Sequence, residues 1–277
     1  MEKSYRIMIE TSSICNARCK FCPNPTLIRE KKVMEERIFD QIIARIKEEK
    51  ITVEKFILHL NGEPLTDPRL MERIQKLKSN FPHVPVCFTT NFALGGKEIT
   101  KKLIASGLDA ITISINSVNS NKYTQIMGGL DFEVTKRNLE YLLAKNREAG
   151  FPILVRVSIV DTGDREEVEQ FKRLFADECE IRVLHLGQWI GEEMPGGLHP
   201  NNHALARPCG DLEQQICILS NGEFALCSFD AKGSVGLNIG DTKILDGFYS
   251  EPYTSLRRAH QIGGRKGTVC ENCSFSF

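Results

Sequence analysis

Apolar and polar residues alternate through residues 5–11, YRIMIET, the period-two pattern of a half-buried strand. The run stops at a polar, cysteine-containing stretch. Between 34 and 49, MEERIFDQIIARIKEE puts Ile38, Ile42, Ile43 and Ile46 on one face of a helix. The two patterns then take turns. Residues 53–60 predict a strand that ends at Asn61-Gly62-Glu63-Pro64, and 68–80 a helix with Pro68 in its first turn. Further strands are predicted over 84–91, 109–116, 152–160 and 180–186. Helices are predicted over 96–107, closed by Gly107, near 131–149, and over 164–178. The stretch between 116 and 131 reads as a loop.

Strands that alternate with helices imply a parallel sheet with right-handed crossovers. Six such units fall short of the eight of a closed barrel. The expected fold is α/β: a partial six-unit (β/α) barrel over 1–190, followed by a linker and a small domain over 191–277. The linker is the Gly/Pro/Asn-rich run GEEMPGGLHPNNHALARP. After it, QQICILSNGEFALCSFD contains two short β-like runs meeting at Asn221-Gly222, a hairpin signal. The polar clusters Cys15–Cys22, Asn61–Pro64, Thr90–Asn91 and Ser114–Asn116 each follow a strand, the end at which such barrels carry their chemistry.

Composition narrows the class. The 277 residues hold 36 basic and 36 acidic side chains, so nothing points to a nucleic-acid or anionic-membrane partner. The N-terminal MEKSYRIMIETSS lacks an apolar signal core, and no run is long enough to span a bilayer. The expected compartment is the cytosol. Ten cysteines there bind metal or do redox chemistry more often than they form disulfides.

Three of them fall in CNARCKFC, at C-x-x-x-C-x-x-C spacing: Cys15, Cys19 and Cys22. Structural zinc takes four protein ligands, and Cys19 and Cys22 supply it only if Cys270 and Cys273 join them. A [4Fe–4S] cluster held by three thiolates instead leaves one iron open for a ligand. With an aromatic residue, Phe21, just before the third cysteine, the motif resembles that of the radical S-adenosylmethionine (radical SAM) superfamily. The resemblance implies that SAM binds the open iron and is cleaved to methionine and a 5′-deoxyadenosyl radical. It extends to Gly62, Glu63 and Pro64, similar to a Gly-Gly-Glu-Pro motif that holds the SAM amino group, although Asn61 replaces the first glycine. It extends also to Ser114, near the SAM ribose in the family, although Asn116 stands where aspartate is usual. Thr90, Asn91, Arg156 and Ser158 complete the implied SAM contacts. Arg156 and Ser158 share one face of a strand, and Arg156 alternatively caps the barrel rim.

The C-terminal segment resembles the auxiliary-cluster extension called SPASM, in its shorter twitch form. The carriers are Cys209, the turn Gly222, Cys227, Asp230, LRR near 256–258 and the final Cys270-x-x-Cys273. Four cysteines imply one auxiliary [4Fe–4S] cluster with no open position; zinc is the alternative. Cys87 and Cys217 lie in apolar runs and read as core, and Cys179 precedes a strand. Cys179 and Cys217 are alternatively hydrogen donors, and His185 and Arg156 are weak catalytic candidates. Gln188 and Trp189 follow the sixth strand, where Trp189 either walls a substrate or packs the domain junction.

Together these resemblances imply a radical SAM oxidoreductase similar to the twitch-type 2-deoxy-scyllo-inosamine dehydrogenases, which oxidise a cyclitol alcohol to a ketone. The implied partners are a small-molecule substrate and an external one-electron reductant such as flavodoxin or ferredoxin, with no nucleic acid and no membrane. Competing expectations are a peptide-modifying SPASM enzyme, a redox-neutral radical epimerase and a zinc-stapled binding protein.

Overall fold

The computed structural model describes residues 3–186, 189–190, 209–271 and 273. Six strands, β1 (Tyr5–Ile9), β2 (Val53–Ile57), β3 (Val86–Thr90), β4 (Ala110–Ser114), β5 (Leu154–Asp161) and β6 (Glu180–His185), lie side by side in chain order, every pair parallel. Helices α1 (Glu36–Glu48), α2 (Leu70–Asn80), α3 (Lys97–Ala105), α4 (Ser120–Ile126), α5 (Phe132–Glu148) and α6 (Arg165–Phe175) fill the crossovers. This is the α/β parallel arrangement that the alternating patterns predict.

Two features depart from expectation. The stretch read as a loop after β4 contains α4, whose one buried side chain is Tyr123. A helix with so narrow an apolar stripe leaves almost no periodic signal, and Asn119 starts it by accepting a hydrogen bond from the Lys122 N–H. The strands other than β5, which runs one residue past its predicted end to Asp161, also stop short of their predicted ends. Their last residues leave the ladder for loop partners, as where the Met34 N–H bonds the Thr11 carbonyl.

The C-terminal segment comprises α7 (Gly210–Gln214), β7 (Gln215–Ile218), β8 (Phe224–Ala225), α8 (Ile244–Phe248) and α9 (Glu251–Gln261). The hairpin at Asn221-Gly222 forms, with β8 antiparallel to β7. What the sequence does not announce is that β7 pairs in parallel with β1, giving the sheet order β6-β5-β4-β3-β2-β1-β7-β8. The expected linker between 191 and 208 lies outside the described residues.

Alternation along each strand sorts side chains onto two faces. One face carries Ile7, Phe56, Phe88, Ile113 and Val157, buried against helix residues such as Phe39, Ile74, Leu103 and Leu142. Each such fully buried side chain contributes about 2 kcal/mol. The opposite face meets none of α1–α6, and at its start Arg6 bonds the Gly210 carbonyl and the Asp211 carboxylate of α7. Its apolar part is a small cluster of Met8, Ile57, Cys217, Leu219 and Ala225, with Leu60 and Cys87 against it. With α1–α6 on one side, the sheet is a partial barrel whose inner face is left largely clear of those helices. Among the described residues no helix is long and apolar enough to cross a membrane.

Candidate active site

The chain leaves β1 into the cysteine loop and comes back through a bridge between Ser12 and Val33. The loop is pinned from outside: the Arg18 and Lys20 N–H groups donate to the carbonyls of Met127 and Ile126 at the end of α4. Gly128, with φ of 62°, permits this approach, since a Cβ there would lie 2.2 Å from the Arg18 carbonyl oxygen. Inside the loop, the Ala17 N–H donates to the Cys15 sulfur at 3.4 Å and the Asn24 N–H to the Cys22 sulfur at 3.5 Å.

Burial pushes the Cys15 thiol up to about 12 and raises those of Cys19 and Cys22. A negative charge on Cys15 or Cys22 raises Cys19 further, as for sulfurs within electrostatic reach of one another. Sheltered, neighbouring sulfurs with backbone N–H groups aimed at two of them fit a cluster held through thiolates, because coordination to iron removes the proton that burial otherwise retains. Among the described residues, no three His, Cys, Asp or Glu side chains converge tightly enough for a single metal ion. A cubane needs a wider ring of ligands than one ion does.

Against this loop lies the turn after β2. Gly62 packs so closely that a Cβ would fall 2.0 Å from the Ser12 carbonyl oxygen, and the Glu63 N–H donates to the Ile14 carbonyl at 2.8 Å. The buried Glu63 carboxylate accepts from the Thr90 hydroxyl at 2.5 Å, the Leu65 N–H at 3.1 Å and the Asn91 N–H at 2.8 Å. Burial nevertheless outweighs these donors and raises its pKa to about 7. One oxygen carries a single bond and keeps room for a cationic donor. Asn91 also reaches the cysteine loop, its amide donating to the Asn16 side-chain oxygen at 2.9 Å. Thus Glu63, Thr90 and Asn91, from three separate sequence motifs, form one connected group beside the cysteines. Asn61, in place of a glycine, buries a side-chain amide with neither nitrogen nor oxygen paired, at a cost of about 1–3 kcal/mol for each such group.

Further along the inner face, Ser114 and Ser158 are paired in register with their hydroxyls 3.5 Å apart. Arg156 sits two positions earlier on β5 and is bound through Nε to Glu180 at 2.9 Å. Asn116, where aspartate was expected, uses its amide structurally, donating to the Met127 sulfur and accepting from the Val160 N–H. An aspartate makes only the second of these bonds.

His59 was not singled out by the sequence. It accepts from the Thr89 N–H through Nδ1 at 3.0 Å, which leaves the proton on Nε2, and burial lowers its pKa to about 4. The neutral ring therefore presents one fixed donor to the inner face. Period-two counting back from the Asn61 turn was the available signal.

Cys179 precedes β6, with its thiol bonded to the Phe175 carbonyl at 3.9 Å. Cys217 is fully buried in the floor against Met8. His185 is exposed at the end of β6.

The second cysteine set gathers from separate elements. Cys209 precedes α7, Cys227 follows β8, and Cys270 and Cys273 form a turn joined by the Cys273 N–H and the Cys270 carbonyl. Burial pushes Cys270 up to about 12, and charge on Cys273 or Cys209 raises it further; charge on Cys270 in turn raises Cys227. The four sulfurs thus share a neighbourhood. Asp230 shapes the Cys227 turn by accepting from the N–H groups of Leu226, Gly233 and Ser234. Arg257 of the LRR run donates to the carbonyls of Leu212 and Phe248, tying α9 to α7 and α8.

Two links join the cysteine sets. Trp189 donates from its indole to the Phe21 carbonyl at 2.8 Å and packs on Phe229, ring centroids 5.1 Å apart. Arg29, from the first loop, pairs with the fully buried Glu10 at 2.6 Å and donates to the Ala231 carbonyl. Glu10 in turn accepts from the N–H groups of Asn61 and Ser220.

Comparison with known proteins places this arrangement. The family model of the radical SAM superfamily matches residues 9–175. Two relatives, both named GTP 3′,8-cyclase, are 29% identical over 141 residues (Chlorobaculum tepidum; 50% of this chain, 41% of the relative) and 26% identical over 191 residues (Alkaliphilus oremlandii; 68% and 58%). The chain therefore spans about half the length of the curated relatives it matches. Among solved structures, BtrN in complex with AdoMet and 2-DOIA aligns with a TM-score of 0.64 at 17% identity, over 99% of this chain and 94% of that one. Streptococcus suis SuiB bound to precursor peptide SuiA aligns with a TM-score of 0.74 at 17% identity, over 99% and 70%. These likenesses establish the fold.

Proposed function

The chain belongs to the radical SAM superfamily, and from that premise we propose that it is an oxidoreductase that removes two electrons from an alcohol of a small, sugar- or cyclitol-like substrate. When bound, the cofactors supply the redox chemistry: one electron cleaves S-adenosylmethionine to methionine and a 5′-deoxyadenosyl radical that takes a substrate hydrogen, and the auxiliary cluster accepts the electron released as the alcohol becomes a ketone and a proton.

In this reading Cys15, Cys19 and Cys22 hold the first cluster, and Cys209, Cys227, Cys270 and Cys273, in the segment read as a twitch-like unit, hold the second. Glu63, fixed by Thr90 and Asn91, takes the SAM ammonium on its free acceptor position. Ser114 and Ser158 lie on the inner face where a ribose is within reach of their hydroxyls. Trp189 holds the second segment against the Phe21 backbone. The observation that carries the proposal is the gathering of two cysteine sets of unequal size, three thiols and four, on one sheet.

Its test is anaerobic turnover. Reconstituted protein with dithionite and SAM should release 5′-deoxyadenosine, and a panel of cyclitols and sugars should yield an oxidised product in equal amount. Product of unchanged oxidation state carrying solvent deuterium would overturn the oxidation in favour of epimerisation.

A further inference from the structure

We propose that the substrate carries an anionic group, a phosphate or a carboxylate, which the free guanidinium ends of Arg156 and Arg182 hold on the inner face of the sheet. The inference rests on the radical reading above and narrows its substrate class.

Glu180, the first residue of β6, forms ion pairs with both arginines, its carboxylate 2.9 Å from Arg156 Nε and 3.4 Å from Arg182 Nε, without hydrogen-bond geometry at Arg156. One carboxylate thus faces two cations and leaves both pairs of terminal nitrogens unused. Among the described residues neither guanidinium makes another hydrogen bond or ion pair. Both side chains lie on the inner face. Ile181 and Val183 turn to the helix-covered core, so Glu180 and Arg182 turn the other way. The register places Arg156 opposite Glu180 and Ser158 opposite Arg182.

A third cation points to the same space. Lys55 on β2, four strands away in the sheet from β6, acts together with Arg156 and Arg182 on the buried Cys87 thiol, each partly offsetting the rise that burial imposes. Lys55, Arg156 and Arg182 thus all stand within electrostatic reach of one thiol on the inner face. The partner of Lys55 is the Glu54 carboxylate at 3.9 Å, a loose contact. Carboxylates accompany these cations: Glu180 pairs with both arginines, and Asp109 and Asp211 lie within electrostatic reach of Cys87 and Lys55 respectively. The inner face also carries the apolar cluster of Met8, Ile57 and Cys217.

The position suits a substrate anchor. Arg182 is one strand, about 4.8 Å, from Ser158, itself paired with Ser114. An anion on the arginine forks would lie beside the Ser158 and Ser114 hydroxyls. Arg182 is half exposed on an edge strand, so the anchor is open to a ligand from solution. Guanidinium forks match the paired oxygens of phosphate and carboxylate.

SAM also carries a carboxylate, and the test separates the two sources. Reconstituted protein is saturated with SAM and titrated with inorganic phosphate, followed by calorimetry. Wild type should bind phosphate, more weakly as salt rises. Arg182→Met and Arg156→Met should each weaken it about tenfold or more, and Arg182→Lys should recover part of the loss, which a misfolded variant does not. SAM affinity, titrated separately, should stay within about twofold in Arg182→Met, since no contact of Arg182 is assigned to SAM. Absence of phosphate binding to wild type, or binding that survives both substitutions, overturns the proposal. A parallel fall in SAM affinity overturns it as well, assigning the forks to the SAM carboxylate. Failure of wild type to release 5′-deoxyadenosine sinks the radical reading without touching the phosphate result.

Discussion

The two cysteine sets are built in opposite ways. The first lies within eight consecutive residues, held by a loop whose backbone N–H groups point at its sulfurs. The second draws on four places spread over 65 residues and is assembled by α7, the β7–β8 hairpin and α9. Around the first stand groups able to bind a further ligand: the Glu63 carboxylate with a spare acceptor position, Asn91 and the serines of β4 and β5. Around the second, Asp230 and Arg257 bond the protein itself, while Arg257 Nη2 and both ring nitrogens of His260 are buried without a hydrogen-bond partner among the described residues. In the proposed reading the three-thiol set is the reaction centre and the four-thiol set the electron store.

The sharpest way to break this contrast is to remove each set separately. Cys15, Cys19 and Cys22→Ala should abolish 5′-deoxyadenosine release altogether. Cys209 and Cys227→Ser should leave SAM cleavage measurable and lose the oxidised product. Equal damage from both would mean that the sets are not distinct in role.

Next in size is the link between them. Arg29→Met leaves the Glu10 carboxylate buried without its cation, and breaking such a pair costs about 3–5 kcal/mol. The midpoint of thermal unfolding should fall by several degrees, and both clusters should be lost more easily on dilution. An unchanged midpoint would show that the pair is not a joint.

Glu63 tests what is special to the first set. Glu63→Gln should weaken SAM binding about 10- to 100-fold, the range for a hydrogen bond to a charged group. pH gives the same answer without mutation. Burial raises Glu63 to about 7, while a bound ammonium favours its ionised form. SAM binding must therefore release a proton below that value, and affinity should fall by up to about tenfold per unit as pH drops below about 7. A flat profile between pH 6 and 8 contradicts the assignment. The smallest effect belongs to Trp189→Phe, which removes the hydrogen bond to Phe21 and keeps an aromatic ring on Phe229. It should cost about 1 kcal/mol, with SAM cleavage nearly unchanged.

What the sequence made legible follows the same divide. The first cysteine set, Glu63 and the alternating strands and helices are local patterns, and spacing alone displays them. Arg182 and His59 belong to the inner face as much as Ser158 does, yet their meaning depends on which strands lie side by side. EIRVLH shows an alternating strand; only the register reveals that Glu180 binds the β5 arginine and Arg182 with one carboxylate. The same limit hid the pairing of β7 with β1, a contact between residues some 200 positions apart.

The most direct test of the central claim is iron and acid-labile sulfide in anaerobically reconstituted protein, measured in wild type and in the two cysteine-set variants. The account predicts about eight irons per chain in wild type and about four in each variant. Zinc in place of iron, or about four irons in wild type that vanish with the first set alone, would contradict a second cluster and with it the proposed oxidation.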